Sequence, residues 1–243
     1  MNYKELCRVG SEIVPQFKSW ANASPYEIKG ILHSEMLFLV SVLRSKTVGR
    51  IIESGRARGQ STLMLSLAFP ENQIISIEFD ANSPDVAVAQ SRLGSHANVD
   101  LRFGDSRKLL PELVKSDDYV LIDGPKAFRA VRLAMRVLAT GRCAGVFIHD
   151  LYPGQDERAF VDRHFPEAQF SDDRRWAEFG SVVDADIMEF IPPEQRLDTL
   201  VDGRGYGFSL TFLPYRPDRN YSALEMLAKV TEIFSKLKRS LFR

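Results

Sequence analysis

The chain has 243 residues, 32 acidic against 32 basic side chains, and a sequence pI near 6.9. That length suits one domain with elaborations, and the balanced charge gives no global field to gather nucleic acid or an acidic membrane. Met36 to Leu43, the longest apolar run, is far short of the ~20 residues of a membrane span. Met1 to Glu5 lack the layout of a signal peptide, and two distant cysteines, Cys7 and Cys143, suit a reducing compartment. The expectation is a cytoplasmic protein with no membrane span and no nucleic-acid partner.

Residues 1–20 mix apolar and charged positions around Pro15, which predicts one or two short helices. Ser24-Pro25-Tyr26-Glu27 reads as a helix start: Ser24 caps, Pro25 suits the first helical position, and Glu27 completes a capping box. The predicted helix runs to about Arg44, with Ile28, Ile31, Leu32, Met36, Leu39, Val40 and Leu43 at helical spacing. His33 within it reads as a surface or edge histidine.

Ile51 to Thr62 is the stretch on which the rest is organised. An apolar run ends in Glu53, passes through Gly55 and Gly59, and enters an amphipathic segment from Leu63 to Phe69. That is strand, tight turn, helix, the place where doubly wound α/β sheets seat nucleotide-like ligands. A dinucleotide fingerprint fails, because Ala57 and Gln60 stand where its second and third glycines belong.

Alternation follows. Gln73–Glu78, Val99–Phe103, Tyr119–Asp123 and Ala144–Ile148 read as strands. Pro84–Leu93, Ser106–Val114 and Phe128–Leu138 read as the intervening helices. The pattern predicts a Rossmann-like, doubly wound, mostly parallel sheet of about seven strands with helices on both faces. Beyond residue 152 the spacing predicts a helix over Asp156–Phe165, a sixth strand within Val182–Ile191, and a seventh over Tyr206–Leu213 at the sheet edge. The last segment, Ser222–Arg243, predicts a helix with Leu227, Val230, Phe234, Leu237 and Leu241 along one side. Lys236, Lys238, Arg239 and Arg243 at its end suit the helix dipole. One domain over residues 1–243 is expected: helices over 1–44, a ligand-binding core over 45–165, and an elaboration with a C-terminal helix over 166–243.

The polar residues that can do chemistry fall at the carboxyl ends of these strands. Glu78, nineteen residues after Gly59, is placed to accept both hydroxyls of a ribose. Gly104 lets backbone approach a ligand, and Asp105 or Ser106 can either hydrogen-bond an adenine edge or cap the next helix. Asp123 and Lys126 follow the fourth strand, and His149 and Asp150 end the fifth. Arg174, Arg175, Trp176 and Tyr206 could line an acceptor pocket or a solvated surface. His96 and His164 carry no functional expectation.

The run Glu53-x-Gly55-x-x-x-Gly59 resembles the first motif of class I S-adenosylmethionine (SAM) dependent methyltransferases, with Ala57 at the middle position. The resemblance covers roughly residues 25–165. It implies cofactor contacts from Glu53, Gly55, Ala57, Gly59, Ser61, Glu78, Gly104, Asp105, Ser106 and Asp123. Asp123 and Lys126 also match the metal-dependent catechol-type O-methyltransferases, which implies a metal ligand and a lysine base. There Asp150 matches the next ligand, but Leu151 stands where an asparagine belongs. An apolar side chain cannot ligate magnesium, so the expectation is no tightly held metal, with Asp123 and Asp150 as its ligands otherwise. Ile122-Asp123-Gly124 and His149-Asp150 resemble a second branch, the bacterial methyltransferases related to cephalosporin hydroxylase and to sugar-modifying enzymes, where His149 is the implied base. The reading is SAM-dependent O-methylation of a small-molecule or sugar hydroxyl, with Lys126, His149 and Asp123 catalytic. The alternatives are a SAM- or nucleotide-binding module without transferase activity, or an NAD-dependent oxidoreductase. The oligomeric state stays open, a homodimer included.

Overall fold

Seven strands form one sheet in the order β3-β2-β1-β4-β5-β7-β6. They are β1 (Arg50–Ser54), β2 (Gln73–Glu78), β3 (Val99–Phe103), β4 (Asp118–Ile122), β5 (Cys143–His149), β6 (Gln169–Phe170) and β7 (Leu210–Pro214). The first five pair in parallel and β7 runs antiparallel to both β5 and β6. This computed structural model describes residues 2–28, 30–197 and 205–241. Among them no helix is long and apolar enough to cross a membrane, and Cys7 and Cys143 are unpaired.

Alternating side chains along the strands feed two cores, as the period of two requires. Ile52, Ile75, Val120, Ile122, Val146 and Ile148 pack on one face beneath α5 (Ser106–Leu113), α6 (Phe128–Ala139), α7 (Asp156–His164) and α9 (Tyr221–Leu241). Ile51, Ile74, Tyr119, Leu121 and Phe147 pack on the other against α1 (Tyr3–Ala23), α2 (His33–Arg44), α3 (Gln60–Ala68) and α8 (Arg174–Gly180). The remaining helix, α4 (Asp85–Leu93), closes a small cluster with Leu63. The order reverses between β1 and β4, which opens a crevice at their carboxyl ends.

Several expectations from the sequence need correction. In place of one or two short helices, Tyr3–Ala23 form a single long helix that passes through Pro15. No helix starts at Ser24. That residue ends α1, and its hydroxyl donates to the Gln60 carbonyl, while Glu27 pairs with Arg58 and Arg92. α2 begins at His33, where Glu35 takes the Leu32 N–H. His33 is buried, not at a surface, and burial holds its pKa below the ordinary value. Val182–Ile191 is no strand: Ser181–Phe190 is a 3-10 helix, held by Asp184, which accepts from the Ser34 N–H and the Tyr206 hydroxyl. The sixth strand is instead Gln169–Phe170, and it takes the edge, leaving β7 inside the sheet. The apolar side of α9 faces solvent, with Phe234 66% exposed, because Ala228 and Ser235 supply the packed side. Leu241's side chain and Arg243 lie outside the described residues.

At the end of the sheet opposite the crevice, Arg50 and Asp118 tie β1 to β4 through a bidentate pair. The carboxylate is 1% exposed. Asp118→Ala would strand a guanidinium and the Lys115 N–H that also bonds it. A loss of about 3 kcal/mol in chemical denaturation is expected, the scale for breaking a buried pair.

Candidate active site

Glu53 lies at the root of the site. Its carboxylate is fully buried and accepts from the hydroxyls of Ser61 and Thr62 on α3 and Ser76 on β2, the last at 2.9 Å. Burial raises its pKa and the three hydroxyls work against that rise. Glu53 therefore fixes the turn from below and faces neither of the cavities above it, so any role toward a cofactor passes through the turn.

The turn crosses within van der Waals contact of the loop after β4. A Cβ on Gly55, whose φ is 94°, would lie 2.6 Å from the Gly124 nitrogen. Asp123 and Gly124 both donate backbone N–H to the Ser54 carbonyl at 2.9 Å, and the Ser54 hydroxyl donates to the Gly124 carbonyl. Only glycine permits that approach without strain. Ala57 takes a left-handed φ of 45° and donates its N–H to the Glu78 carboxylate at 2.9 Å. Gly59 begins α3 and packs on Leu93 instead of lining a cavity.

On one side of this turn, a cavity of about 390 Å³ is lined by Gly55, Ile77, Glu78, Phe79, Gly104, Asp105, Ser106, Pro125 and Lys126, among others. On the other side, one of about 450 Å³ holds Ala57, Ser61 and Asp123 together with Glu27, Arg56 and Gln60. Both volumes fall in the range of small-molecule sites. Asp105 also caps α5 and pairs with Arg107, so the capping alternative read from its sequence is in use.

A line of alternating charge runs along the rim. Lys126 donates to Asp123, and its Nζ lies 2.6 Å from Asp150. His149 lies behind, its Nδ1 2.6 Å from Asp123 and its Nε2 3.2 Å from Glu35. Lys126 and His149 nitrogens are 3.4 Å apart, a repulsion that three carboxylates surround and outweigh. Burial works against the charge on Asp123, yet His149 and Lys126 hold its pKa down at about 2. Burial would likewise strip the proton from His149, but Asp123 and Glu35 push it up to about 10. Lys126 is raised as Asp123 and Asp150 outweigh its partial burial. His149, 2% exposed, lies between Asp123 and Glu35, and these carboxylates favour its imidazolium form and fix the ring against Asp123.

Glu35 and Tyr152 were not singled out in the sequence. Glu35 sits on α2, 114 residues from the histidine it pairs with. Tyr152 donates to Asp150 at 3.1 Å. Arg174, Arg175, Trp176 and Tyr206 do not gather into a pocket: Trp176 and Tyr206 are core, Arg175 bonds Asp173, and Arg174 bonds Glu178 at the surface.

Asp123, His149 and Asp150 offer donor atoms within 4.8 Å of one another. They do not suit a resident divalent ion. Both imidazole nitrogens are committed, the Lys126 ammonium already lies between the carboxylates, and the Leu151 side chain turns into the core.

The charge on His149 has a definite pH signature. Its raised pKa contributes stability that is fully present below 6.5 and lost as pH rises through about 10. The depressed Asp123 contributes stability present above 3.8 and lost as pH falls toward about 2. NMR titration should therefore find His149 still an imidazolium at pH 8, with Glu35→Gln moving its midpoint down toward 6.5. A neutral ring at pH 8 in the unaltered protein would contradict the assignment.

A family described as a methyltransferase domain matches residues 52–151, from β1 to just past β5. No curated protein matches the chain. Among solved structures it is similar to the O-methyltransferase TomG of Streptomyces achromogenes, solved in complex with SAM. The identity is 19%, over 84% of this chain and 90% of that one, with a TM-score of 0.48. It is also similar to cofactor-bound Rv0187 from MTB (18%, 84% and 90%, 0.47) and to SAH-bound PaMTH1 of Podospora anserina (15%, 88% and 87%, 0.44). The span matched by the family contains the Gly55 turn, Glu78, Asp123, Lys126 and the His149-Asp150 pair, so residues 52–151 of the chain are similar to a methyltransferase domain.

Proposed function

We propose that the chain moves the methyl group of SAM to a hydroxyl oxygen of a small-molecule or sugar acceptor, with residues 1–243 acting as one catalytic unit. The observation that carries this reading is Lys126, a half-exposed ammonium at the rim of the cofactor cavity with a carboxylate on each side. The cavity suits SAM. Glu78, steadied by the Ala57 N–H, offers carboxylate oxygen to a ribose diol. Ile77, Phe79 and Pro125 offer apolar surface to a purine, and Ser106 a hydroxyl to its edge. Gly55 and Gly104 keep Cβ atoms out of the way. When bound, SAM supplies an electrophilic methyl on a sulfonium.

The chain's share is to seat the acceptor oxygen in line and to receive its proton. Lys126 enters charged, because its neighbours favour the ammonium. It therefore serves better as a donor to the acceptor oxygen, stabilising negative charge as the O–H bond breaks, than as an amine base. The Asp150 carboxylate beside it takes the proton and passes it to solvent. Asp123, held by His149, keeps Lys126 aimed. This departs from the lysine-base role that the family resemblance implies. The cytoplasm is the proposed compartment, supported by the two unpaired cysteines.

Calorimetry should show that Glu78→Ala weakens SAM binding by about 1.5–3 kcal/mol, the range for a hydrogen bond to a charged group. With an acceptor in hand, Lys126→Met should lose ~10²–10³-fold in turnover, the scale for an oxyanion donor, with SAM affinity little changed. Lys126→Arg should keep a substantial part of the rate; equal loss in both variants would restore the amine base. Turnover should also survive exhaustive EDTA, and its disappearance with recovery on adding magnesium would overturn the fit of the two cationic side chains to this site.

A further inference from the structure

The C-terminal helix exposes more apolar surface than its packing explains. Leu227, Val230, Phe234 and Leu237 recur at spacings of three and four, and Met226 and Ile233 widen the stripe. Their exposures run from 42% to 68%. Contiguous apolar stripes of this kind mark interaction sites. What the stripe meets is indicated by the charges around it.

Lys229 and Lys236 flank the stripe on one side and Lys238 on the other, all exposed. The two carboxylates among the described residues of α9, Glu225 and Glu232, are drawn to Arg132 on α6, the second also to Lys236. Arg132 in turn lines a recess between α5 and α6 with Arg107, Lys108, Arg129 and Arg136, where the one carboxylate, Asp105, is bonded to Arg107. A basic recess therefore runs into the lysine edge of an apolar stripe. A second copy of the chain laid stripe to stripe would bring lysines against lysines with no free carboxylate on α9 to answer them.

We infer that this face docks on an anionic lipid surface, the apolar stripe entering the headgroup–acyl boundary while the flanking lysines and the α5–α6 recess meet anionic headgroups. Amphipathic helices with this division of charge lie in the plane of the interface without spanning it. Long cationic side chains at the flanks reach the headgroups while their stems stay apolar. The inference is independent of the methyl-transfer reading.

The test is co-sedimentation of the full chain with vesicles of phosphatidylglycerol and phosphatidylcholine, against phosphatidylcholine alone, with and without added salt. Binding is expected to the anionic vesicles only and to weaken as salt rises. Lys229→Gln with Lys238→Gln should lower the partition by about fivefold per lysine. Phe234→Asp should lower it further, with an unchanged circular dichroism spectrum as expected for so exposed a residue. Absence of binding by the folded protein at low salt would overturn the inference, as would equal binding to neutral vesicles. So would a dimer in sedimentation velocity that Phe234→Asp dissolves, since a second copy would then own the stripe.

Discussion

Five side chains from three distant parts of the sequence, Glu35, His149, Asp123, Lys126 and Asp150, alternate in sign along the rim of the sheet. Each cation lies between two carboxylates. The line joins α2 to the ends of β4 and β5, so the cover formed by the N-terminal helices is electrostatically bound to the carboxyl edge of the sheet.

The second constraint is steric. The first turn and the β4 loop meet so closely that a methyl group at residue 55 has no room, and Glu53 holds the turn from beneath through hydroxyls on two other elements. The cavities beside the turn and the core are built on the same few atoms. A change at Ser61, Thr62 or Ser76 would be felt in the cavity although only Ser61 lines one.

The alternating half of the chain was legible because its signals are local. Strand, glycine turn and helix follow one another within a few residues, and apolar periodicity is enough to place β1 to β5. What the sequence misled on was decided by partners far away. Ser24 and Glu27 carry a helix-start signature, but Gln60, Arg58 and Arg92 claim them. His149 was legible at the end of β5 but not as a ring held between two carboxylates, because nothing near it in sequence announces Glu35. Apolar spacing lined up one side of α9, but the side that packs is carried by small residues, Ala228 and Ser235. Val182–Ile191 has strand-like composition, and a buried carboxylate at Asp184 bends it into helical turns instead.

The position of β7 has a consequence for how the chain is made. It fills the sheet between β5 and β6, although it follows both of them in chain order. Until residue 214 has emerged, the β5 edge carrying Val146, Phe147 and Ile148 has no partner on that side. An open, apolar edge of this sort is a template for pairing with other nascent chains. The stretch between β5 and β7, with its helices and β6, therefore sets how long that edge stays open as the chain is made.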